Sequence, residues 1–374
     1  MSSEEEPNGD IPAGPLRRGW TTGACATAAT RAAYEALVTG SCPDPVEIAL
    51  PSGARVAFAV ATFERNEESA IVGIVKDAGD DPDVTHGALV KAKVRRGSPN
   101  SGVSFRAGEG VGTVTKPGLP LPPGEPAINP VPREMMRGAI AEVASLFGAP
   151  ADAVIEISIP GGEALAARTL NGRLGIVGGL SILGTTGIVV PFSCAAWIHS
   201  IHRGIDVARA SGLDHLAGAT GSTSEKGVQQ LHHLPEQALI DMGDFVGGML
   251  KYLRRHPVAK VTIAGGFAKM TKLGQGLLDL HSRSGSVDRA WLATLLQEAG
   301  APADLVEASR EANTALFVLQ EASKHGIAIG DLVARAAWKT AAELLDGTGI
   351  ALDTAVFDRE GHLIGTHALP LKRR

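Results

Sequence analysis

The chain has 374 residues, of which 44% are hydrophobic and only 4% aromatic, and its mean hydropathy is +0.09. At about 100–200 residues per domain, this length predicts two or three domains with a sizeable buried core. The net charge of -5 and the pI of about 6.1 argue against a broad phosphate-binding surface, so nucleic acid is not expected as a partner. The three cysteines are far apart and form no C-x-x-C motif, which predicts neither disulfides nor a structural zinc site.

Residues 1–15 are acidic and rich in turn formers, and we expect them to form a disordered arm. They lack the basic start and apolar core of a secretory signal. No uninterrupted apolar run reaches the length of a membrane span. These features predict a soluble, cytoplasmic protein with no membrane partner, and they leave the oligomeric state open.

Residues 16–150 are predicted to form a β-rich α+β domain. An alanine-rich helix is expected over 22–38, ending before Gly40. Seven prolines within 117–132 indicate an extended connection to a second helix, which ends near Gly148. Short β-type segments lie between the two helices, at 46–50, 54–62, 70–75, 88–94, 103–105 and 111–115.

Residues 151–374 are predicted to form a helix-rich α/β domain, which makes the chain a two-domain α/β protein with a boundary near residue 150. Strands are expected at 154–159 and 261–265, and a final hairpin at 354–368. The expected helices lie at about 194–211, 224–233, 243–255 and across much of 268–346.

The segment AGEGVG at 107–112 contains the G-x-G-x-G pattern of many nucleotide and S-adenosylmethionine (SAM) sites. Such a pattern binds its ligand when a strand leads into a helix whose N-terminal amides face the ligand. Here a proline-rich stretch follows and cannot form that helix. The pattern therefore predicts a turn between two strands.

The segment KDAGDDPDVT places Asp77, Asp80, Asp81 and Asp83 within seven positions. One interpretation is a loop stabilised by Asx turns. The other is a carboxylate cluster that binds a cation or accepts a proton. The ligand spacing of an EF-hand loop is missing, so calcium is not supported.

The segment PGGEALAARTLNGRLGIVGGLSILGTTGIVVPFS, at 160–193, is unusually rich in glycine. Glycine lets a backbone approach a ligand closely and adopt positive φ. Arg168 and Arg173 lie within it and could pair with carboxylates or phosphates. A ligand-lining role is favoured over a tightly turned structural segment.

The segment VTIAGGFAKMTKLGQG combines a hydrophobic strand, the pair Gly265-Gly266 and a helix that carries Lys269 and Lys272. This order places backbone amides and cations at a helix N-terminus, where anions bind. The spacing of a P-loop is absent, so a P-loop NTPase is disfavoured.

The histidines give weaker signals. His199 and His202 lie one helical turn apart, but no third metal ligand accompanies them. His281 directly follows the helix that carries Lys269 and is better placed for chemistry. No metal site is predicted.

In order and wording, these segments resemble the CbiD family, the cobalt-precorrin-5B C(1)-methyltransferases. The resemblance extends from about Leu16 to Leu345. Its motifs are RRGWTTGACATAA, KDAGDDPDVT, GEGVGTVTKPGLPLPPGEPAINPVPR, the glycine-rich segment at 160–193, and TIAGGFAKMTKLGQGLLDLHSRSGSVD.

The resemblance implies an enzyme that transfers a methyl group from SAM to C1 of cobalt-precorrin-5B. The products are cobalt-precorrin-6A and S-adenosylhomocysteine, in the anaerobic route to adenosylcobalamin. It also implies a two-domain α/β fold distinct from the other corrin-ring methylases. Because the substrate carries the cobalt, no protein-bound metal is expected.

Three sets of candidate site residues follow from the motifs and the resemblance. The catalytic candidates are Asp77, Asp80, Asp81 and His281. The candidates for binding SAM are Gly178, Gly179, Gly184, Thr185, Thr186, Gly265 and Gly266. The candidates for binding the substrate are Thr21, Thr22, Lys116, Arg168, Arg173, Lys269 and Lys272.

Two other classes of protein stay open at this point. A dinucleotide-dependent oxidoreductase needs a strand–GxGxxG–helix unit with an acidic residue about 20 positions later, and none is found. A non-catalytic corrinoid-binding protein would bind the tetrapyrrole without SAM. The D-x-H-x-x-G loop that would support it is absent.

Overall fold

The computed structural model describes residues 14–368, so the predicted arm at 1–15 lies almost wholly outside the described residues. The chain is a mixed α/β protein that divides into two compact units between Ser193 and Cys194. The sequence predicts this division near residue 150 instead. The strand that follows residue 150 hydrogen-bonds within the main sheet of the first unit, so the boundary comes only after the glycine-rich segment.

The first unit consists of short strands and two long helices. Its elements are β1 (Gly19–Trp20), α1 (Thr22–Thr39), β2 (Val46–Ala49), β3 (Arg55–Phe58), β4 (Thr62–Arg65), β5 (Ser69–Val75), β6 (Leu89–Arg96), β7 (Val103–Ala107), β8 (Thr113–Val114), α2 (Pro130–Phe147), β9 (Ala153–Ser158), α3 (Gly162–Ala166), β10 (Ile176–Val177) and β11 (Ile188–Val189).

The main sheet of this unit has the order β4-β5-β6-β9-β7, antiparallel except for the β7–β9 pair. Helix α1 packs across β5 and β6, and α2 packs on α1. The buried alanines of α1 let these layers approach closely. As predicted, α1 ends at Gly40, which has a φ of +89°. At its start the Thr21 hydroxyl accepts a hydrogen bond from the Ala24 amide.

The segment AGEGVG forms a turn, as the sequence predicts. It connects β7 to β8, and Gly110 adopts a φ of +70° there. No helix follows it among the described residues up to α2, so a conventional dinucleotide-binding unit is not formed at this point.

The second unit has a five-stranded sheet surrounded by helices. Its elements are α4 (Cys194–Ala210), β12 (His215–Ala219), α5 (Ser222–His232), a 3-10 turn (Glu236–Ala238), β13 (Leu239–Asp241), α6 (Val246–Arg255), β14 (Lys260–Gly266), α7 (Phe267–Gly274), α8 (Arg289–Glu298), α9 (Ala303–Glu311), α10 (Ala315–Lys324), α11 (Ile329–Leu345), β15 (Ala351–Phe357) and β16 (Leu363–Ala368).

The sheet order is β13-β12-β14-β15-β16, with the first four strands parallel and β16 antiparallel to β15. The chain leaves β12 towards β13 at one edge of the sheet. It leaves β14 in the opposite direction, towards β15. This divergence makes the carboxyl ends of β12 and β14 the topological switch point of the sheet, the position at which α/β sheets commonly bind ligands. Within residues 14–368, no helix has the length and apolarity needed to cross a membrane.

Candidate functional site

The carboxylates of the predicted acidic loop are bound to other parts of the first unit. The Arg17 guanidinium forms a bidentate ion pair with Asp77, with Nη2 at 2.9 Å from Oδ1. The Arg17 amide donates to Asp80 Oδ2 at 2.6 Å. Asp81 Oδ1 accepts a hydrogen bond from the Phe192 amide at 2.9 Å. Each of the three catalytic candidates in this loop therefore has a partner within the unit.

The electrostatics favour the structural interpretation of this loop. The hydrogen bond from Arg17, supported by one from the Gly79 amide, lowers the pKa of Asp77 to about 2. A carboxylate with this pKa is a weak base at neutral pH. Gly79, with a φ of +70°, is required here because a Cβ would lie 2.2 Å from the Arg17 carbonyl oxygen. The catalytic roles of Asp77, Asp80 and Asp81 stay predictions.

Sequence reasoning missed a buried cation beside this loop. Lys76 is only 2% exposed, and its ammonium contacts the Asp83 carboxylate and the Thr85 hydroxyl. Burial raises the pKa of Asp83, but the Lys76 charge and these hydrogen bonds outweigh it, and the pKa is lowered. Lys76 directly follows a strand that reads as buried. A lysine at the end of a buried strand is a signal for an ion pair, because a buried charge needs a partner of opposite charge.

The glycines of the glycine-rich segment pack largely against the unit's own backbone and side chains. A Cβ at Gly179 would lie 2.3 Å from the Gly110 backbone, and one at Gly184 would lie 2.3 Å from Thr21 Oγ1. These two SAM candidates are therefore needed for internal packing. Gly178 differs, because it is exposed, has a φ of +86° and has open space beside its Cα. A ligand contact stays a prediction for all three.

The glycine-rich segment at 160–193 covers the start of α1. The Thr21 amide donates to the Gly187 carbonyl oxygen, and the Gly23 amide donates to that of Leu183, both at 3.0 Å. Thr21 and Thr22 are 6% and 3% exposed. These two substrate candidates thus face protein atoms, and direct contact with a substrate stays a prediction.

Other candidates on the first unit face solvent. Arg168, Thr185 and Thr186 are exposed and Lys116 is half-buried. Among the described residues the Lys116 and Arg168 side chains have no hydrogen bond or ion pair, so both are available to a ligand. Arg173 is half-buried and has a partner. The exposed apolar side chains of the glycine-rich segment are Val177, Leu183, Val190 and Phe192.

The carboxyl edge of the second unit's sheet presents two helix starts. Helix α5 begins after Gly221, just beyond β12, and α7 begins after Gly266 at the end of β14. Neither start has a side-chain cap. The first amides of a helix have no intrahelical partner, and together with the helix dipole they bind anions. The predicted strand–glycine–helix arrangement is therefore present, and a second one lies beside it.

The two glycines of this edge have different surroundings. A Cβ at Gly265 would lie 2.8 Å from Thr220 Oγ1 and 3.0 Å from Met270 Cγ, so this glycine serves the packing of β14. Gly266 has a φ of −67°, and no atom lies within 4 Å of the position of its absent Cβ. Gly266 therefore borders open space at the carboxyl edge.

The lysines of α7 bind neighbouring loops. Lys269 Nζ donates to the Thr220 carbonyl oxygen at 2.9 Å and lies 3.3 Å from Asp244 Oδ1. Lys272 Nζ donates to the Leu280 carbonyl oxygen at 2.8 Å. Both were predicted to bind substrate. That role stays a prediction, and it would require each ammonium to share or leave its present partner.

His281 has an acceptor role in the structure. Its Nδ1 accepts a hydrogen bond from the Arg283 amide at 3.1 Å, and its own amide donates to Asp279 Oδ1 at 3.0 Å. A neutral imidazole with an accepting Nδ1 carries its proton on Nε2. In this tautomer Nε2 can donate a hydrogen bond to a ligand, and the predicted catalytic role of His281 stays a prediction.

Sequence reasoning missed the loop after β12. The segment LAGATGSTS places Thr220 and Gly221 between a short strand and a helix, as Gly265 and Gly266 stand between β14 and α7. The shared pattern of apolar strand, glycine and helix was a signal for this second half of the edge.

Two groups of described residues bring potential metal ligands together, although the sequence predicts no metal site. In each group, one ligand atom per residue lies within 4.8 Å of the others. The groups are His215, His232 and Asp353, and Asp358, Glu360 and His362. The members of the first group lie on three elements far apart in the sequence, so sequence spacing does not reveal it, whereas the second group lies within one turn between β15 and β16.

Comparison with known proteins identifies the family. The CbiD family model matches residues 11–191, and the model described as CbiD, C-terminal domain, matches residues 279–368. A cobalt-precorrin-5B C(1)-methyltransferase from Bradyrhizobium sp. (strain BTAi1) is 72% identical over 94% of this chain and 93% of that protein. This chain belongs to the CbiD family.

Further relatives agree with this assignment. Proteins with the same name from Agrobacterium fabrum and Methylorubrum extorquens are 64% and 63% identical, each over 94% of this chain and over 92% and 98% of their own lengths. A solved structure of the cobalamin biosynthesis protein CbiD from Archaeoglobus fulgidus is 24% identical, covers 83% of this chain and 85% of that chain, and has a TM-score of 0.39. The two family models and the curated relatives confirm the predicted resemblance to the CbiD family.

Proposed function

We propose that the protein is a SAM-dependent methyltransferase that methylates C1 of cobalt-precorrin-5B. The observation that carries this proposal is the 72% identity to a cobalt-precorrin-5B C(1)-methyltransferase over 94% of the chain. The products are cobalt-precorrin-6A and S-adenosylhomocysteine. We place the reaction in the cytoplasm, in keeping with three cysteines that are all free.

SAM is assigned to the carboxyl edge of the second unit's sheet. It supplies an electrophilic methyl group, and its methionine moiety ends in a carboxylate. The uncapped first amides of α5 and α7 suit that carboxylate, since both helix starts carry positive dipole ends. Gly266 lets the ligand approach the backbone where no side chain intervenes.

The tetrapyrrole is assigned to the solvent-facing part of the glycine-rich segment. Its apolar ring fits the exposed side chains of Val177 and Leu183, which are 60% and 51% exposed. Its acetate and propionate groups need cations. Lys116 and Arg168 supply them, because neither side chain has a partner among the described residues.

Orientation is the main contribution that these residues can make to the rate. Methyl transfer is an in-line attack at carbon, and well-oriented reactants reach effective molarities on the order of 10^5 M or more. Asp80 and Asp81 remain candidates for binding a cation or accepting a proton. Asp77 is a weak base at neutral pH because its pKa is about 2.

The test is a methyl-transfer assay with SAM labelled with 13C in its methyl group and with cobalt-precorrin-5B. We expect one labelled methyl at C1 of the product, together with one S-adenosylhomocysteine per turnover. Calorimetry with SAM and with a nicotinamide dinucleotide separates the alternatives. Tetrapyrrole binding without SAM binding would indicate a non-catalytic corrinoid-binding protein, and dinucleotide binding would indicate an oxidoreductase.

A further inference from the structure

Polar side chains converge on one face of the second unit's sheet, towards the amino ends of its strands. His215 opens β12 and is paired with Lys260, which opens β14, and Thr262 is paired with Asp353 in β15. Because residues two apart along a strand point to the same side, all four side chains lie on one face. His232, the last residue of α5, reaches the same place from the helix packed on this face.

The distances between these groups are close to those of a metal site. The Nε2 atoms of His215 and His232 lie 2.9 Å and 3.4 Å from Thr262 Oγ1. His232 Nε2 lies 3.9 Å from Asp353 Oδ2, and the ligand atoms of the two histidines and Asp353 are all within 4.8 Å of one another. In a tetrahedral zinc site with bonds of about 2.0–2.1 Å, ligand atoms are about 3.4 Å apart. Small rotamer adjustments bring the three side chains to that spacing.

Thr262 Oγ1 is the shared hydrogen-bond partner of the two imidazoles. A threonine hydroxyl has a single proton, so Thr262 can donate to only one of the two imidazoles. The other imidazole has to donate its own N–H to the same oxygen, and the longer of the two contacts is 3.4 Å. A metal ion uses the lone pairs of both rings at once. Two imidazoles and one carboxylate are a donor set for Zn²⁺ and related ions, and not for Ca²⁺ or Mg²⁺.

We propose that His215, His232 and Asp353 form a binding site for one divalent transition-metal ion of the Zn²⁺ type, beside the Thr262 hydroxyl. Lys260 pairs with Asp353 when the metal is absent. The Lys260 side chain is 34% exposed, so its ammonium can turn to solvent when the metal binds. Such a site differs from the expectation, drawn from the sequence, of a protein without a bound metal.

The place of the site gives its role. It lies towards the amino ends of the parallel strands, whereas the proposed SAM site lies at their carboxyl ends. Its three ligands come from β12, α5 and β15, so the metal links the helix to the sheet on which it packs. The ion therefore stabilises the second unit and takes no part in methyl transfer.

The experiment uses the full chain without an affinity tag, stripped of metal with a chelator and titrated with Co²⁺ and then Zn²⁺. We expect one Co²⁺ per chain with visible absorption bands of low coordination number, which Zn²⁺ abolishes as it displaces Co²⁺. Zn²⁺ should raise the Tm of the wild-type protein. His215→Ala and His232→Ala should each weaken Zn²⁺ binding by about 100-fold or more, since even outer-shell changes cost about 10–100-fold.

Two further variants make the test decisive. His362→Ala alters the exposed group at Asp358, Glu360 and His362, and it should bind metal as the wild type does. Lys260→Met removes a positive charge beside Asp353 and should tighten Zn²⁺ binding by about tenfold or more. If a histidine variant fails to fold, the Zn²⁺ affinity of Lys260→Met still tests the proposal.

The following results would overturn the proposal. The first is an absence of stoichiometric binding to the wild type, and the second is binding that persists in His215→Ala. Others are binding that is lost in His362→Ala, or an affinity that Lys260→Met leaves unchanged or weakens. Loss of methyl transfer on metal removal, restored by Zn²⁺, would overturn the assigned role.

Discussion

The proposed SAM site can be tested at Gly266 without disturbing the fold. Gly266 has φ −67° and ψ 154°, which a valine adopts without strain, and nothing lies within 4 Å of the position of its absent Cβ. Replacing glycine at a compatible position stabilises a protein by about 0.4–1 kcal/mol through the unfolded state. Valine is a poorer N-cap than glycine by roughly 0.5–1 kcal/mol, which offsets this gain at the start of α7. We expect Gly266→Val to change the free energy of unfolding by less than about 0.5 kcal/mol.

The effect on SAM binding should be much larger. If the ligand approaches the backbone at Gly266, a β-branched side chain occupies that space, and SAM affinity should fall at least tenfold, or by about 1.4 kcal/mol. Calorimetry with SAM and S-adenosylhomocysteine measures the affinity, and thermal melting checks the fold. Gly265→Ala is the matched control. It should lower the Tm, because its Cβ would lie 2.8 Å from Thr220 Oγ1. Normal SAM affinity in a folded Gly266→Val protein would refute the assignment of this edge.

Three other predictions follow from the first unit and from the cysteines. Asp77→Asn should lower the Tm at neutral pH. This difference in Tm between wild type and variant should disappear as the pH falls from about 4 to 2. Arg17 lowers the pKa of Asp77 from 3.8 to about 2, and protonation of the carboxylate removes the stabilisation. Thermal melts across this pH range measure the difference, and a constant value would contradict the prediction. A thiol reagent should label the exposed Cys194 in the native protein and leave Cys25 unlabelled, since burial raises the pKa of the Cys25 thiol to about 12. Mass spectrometry locates the label, and labelling of Cys25 in the native protein would contradict the prediction. Arg168→Ala should raise the KM for the tetrapyrrole by about 10–100-fold and leave the SAM affinity unchanged, because a charge-assisted hydrogen bond contributes about 1.5–3 kcal/mol. An unchanged KM would exclude Arg168 from the substrate site.

Local sequence signals predict those helices and strands whose residues have a strong helix, strand or turn propensity. Helix α1 was predictable because an alanine-rich run ends at Gly40, and the final hairpin because a turn at Arg359-Glu360-Gly361 separates two β-type segments. Strands β12 and β13 were not predicted. The first is HLAGA, whose small residues have little β propensity, and the second has only three residues. Both become strands because parallel neighbours and helices bury them on both faces.

The candidate site was less predictable because its contacts join distant parts of the chain. The acidic loop reads as a site when its four carboxylates are seen alone, but Arg17 lies 60 residues from Asp77, and no local pattern pairs them. Gly265 and Gly266 are the same residue at adjacent positions. Only packing shows that Thr220 closes the space beside the first and that nothing closes the space beside the second.

The lysines of α7 contact the loops around the carboxyl edge, whereas their predicted role in substrate binding stays a prediction. Lys269 joins the loop after β12, through the Thr220 carbonyl, to the loop after β13, through Asp244. Lys272 holds Leu280 by its carbonyl, while the Leu280 amide donates to the Asp244 carbonyl oxygen at 2.9 Å. One helix thus fixes three loops around the carboxyl edge where SAM is proposed to bind. Loops held in place before a ligand arrives lose little entropy on binding, so we expect these two lysines to favour ligand binding at this edge by positioning the loops.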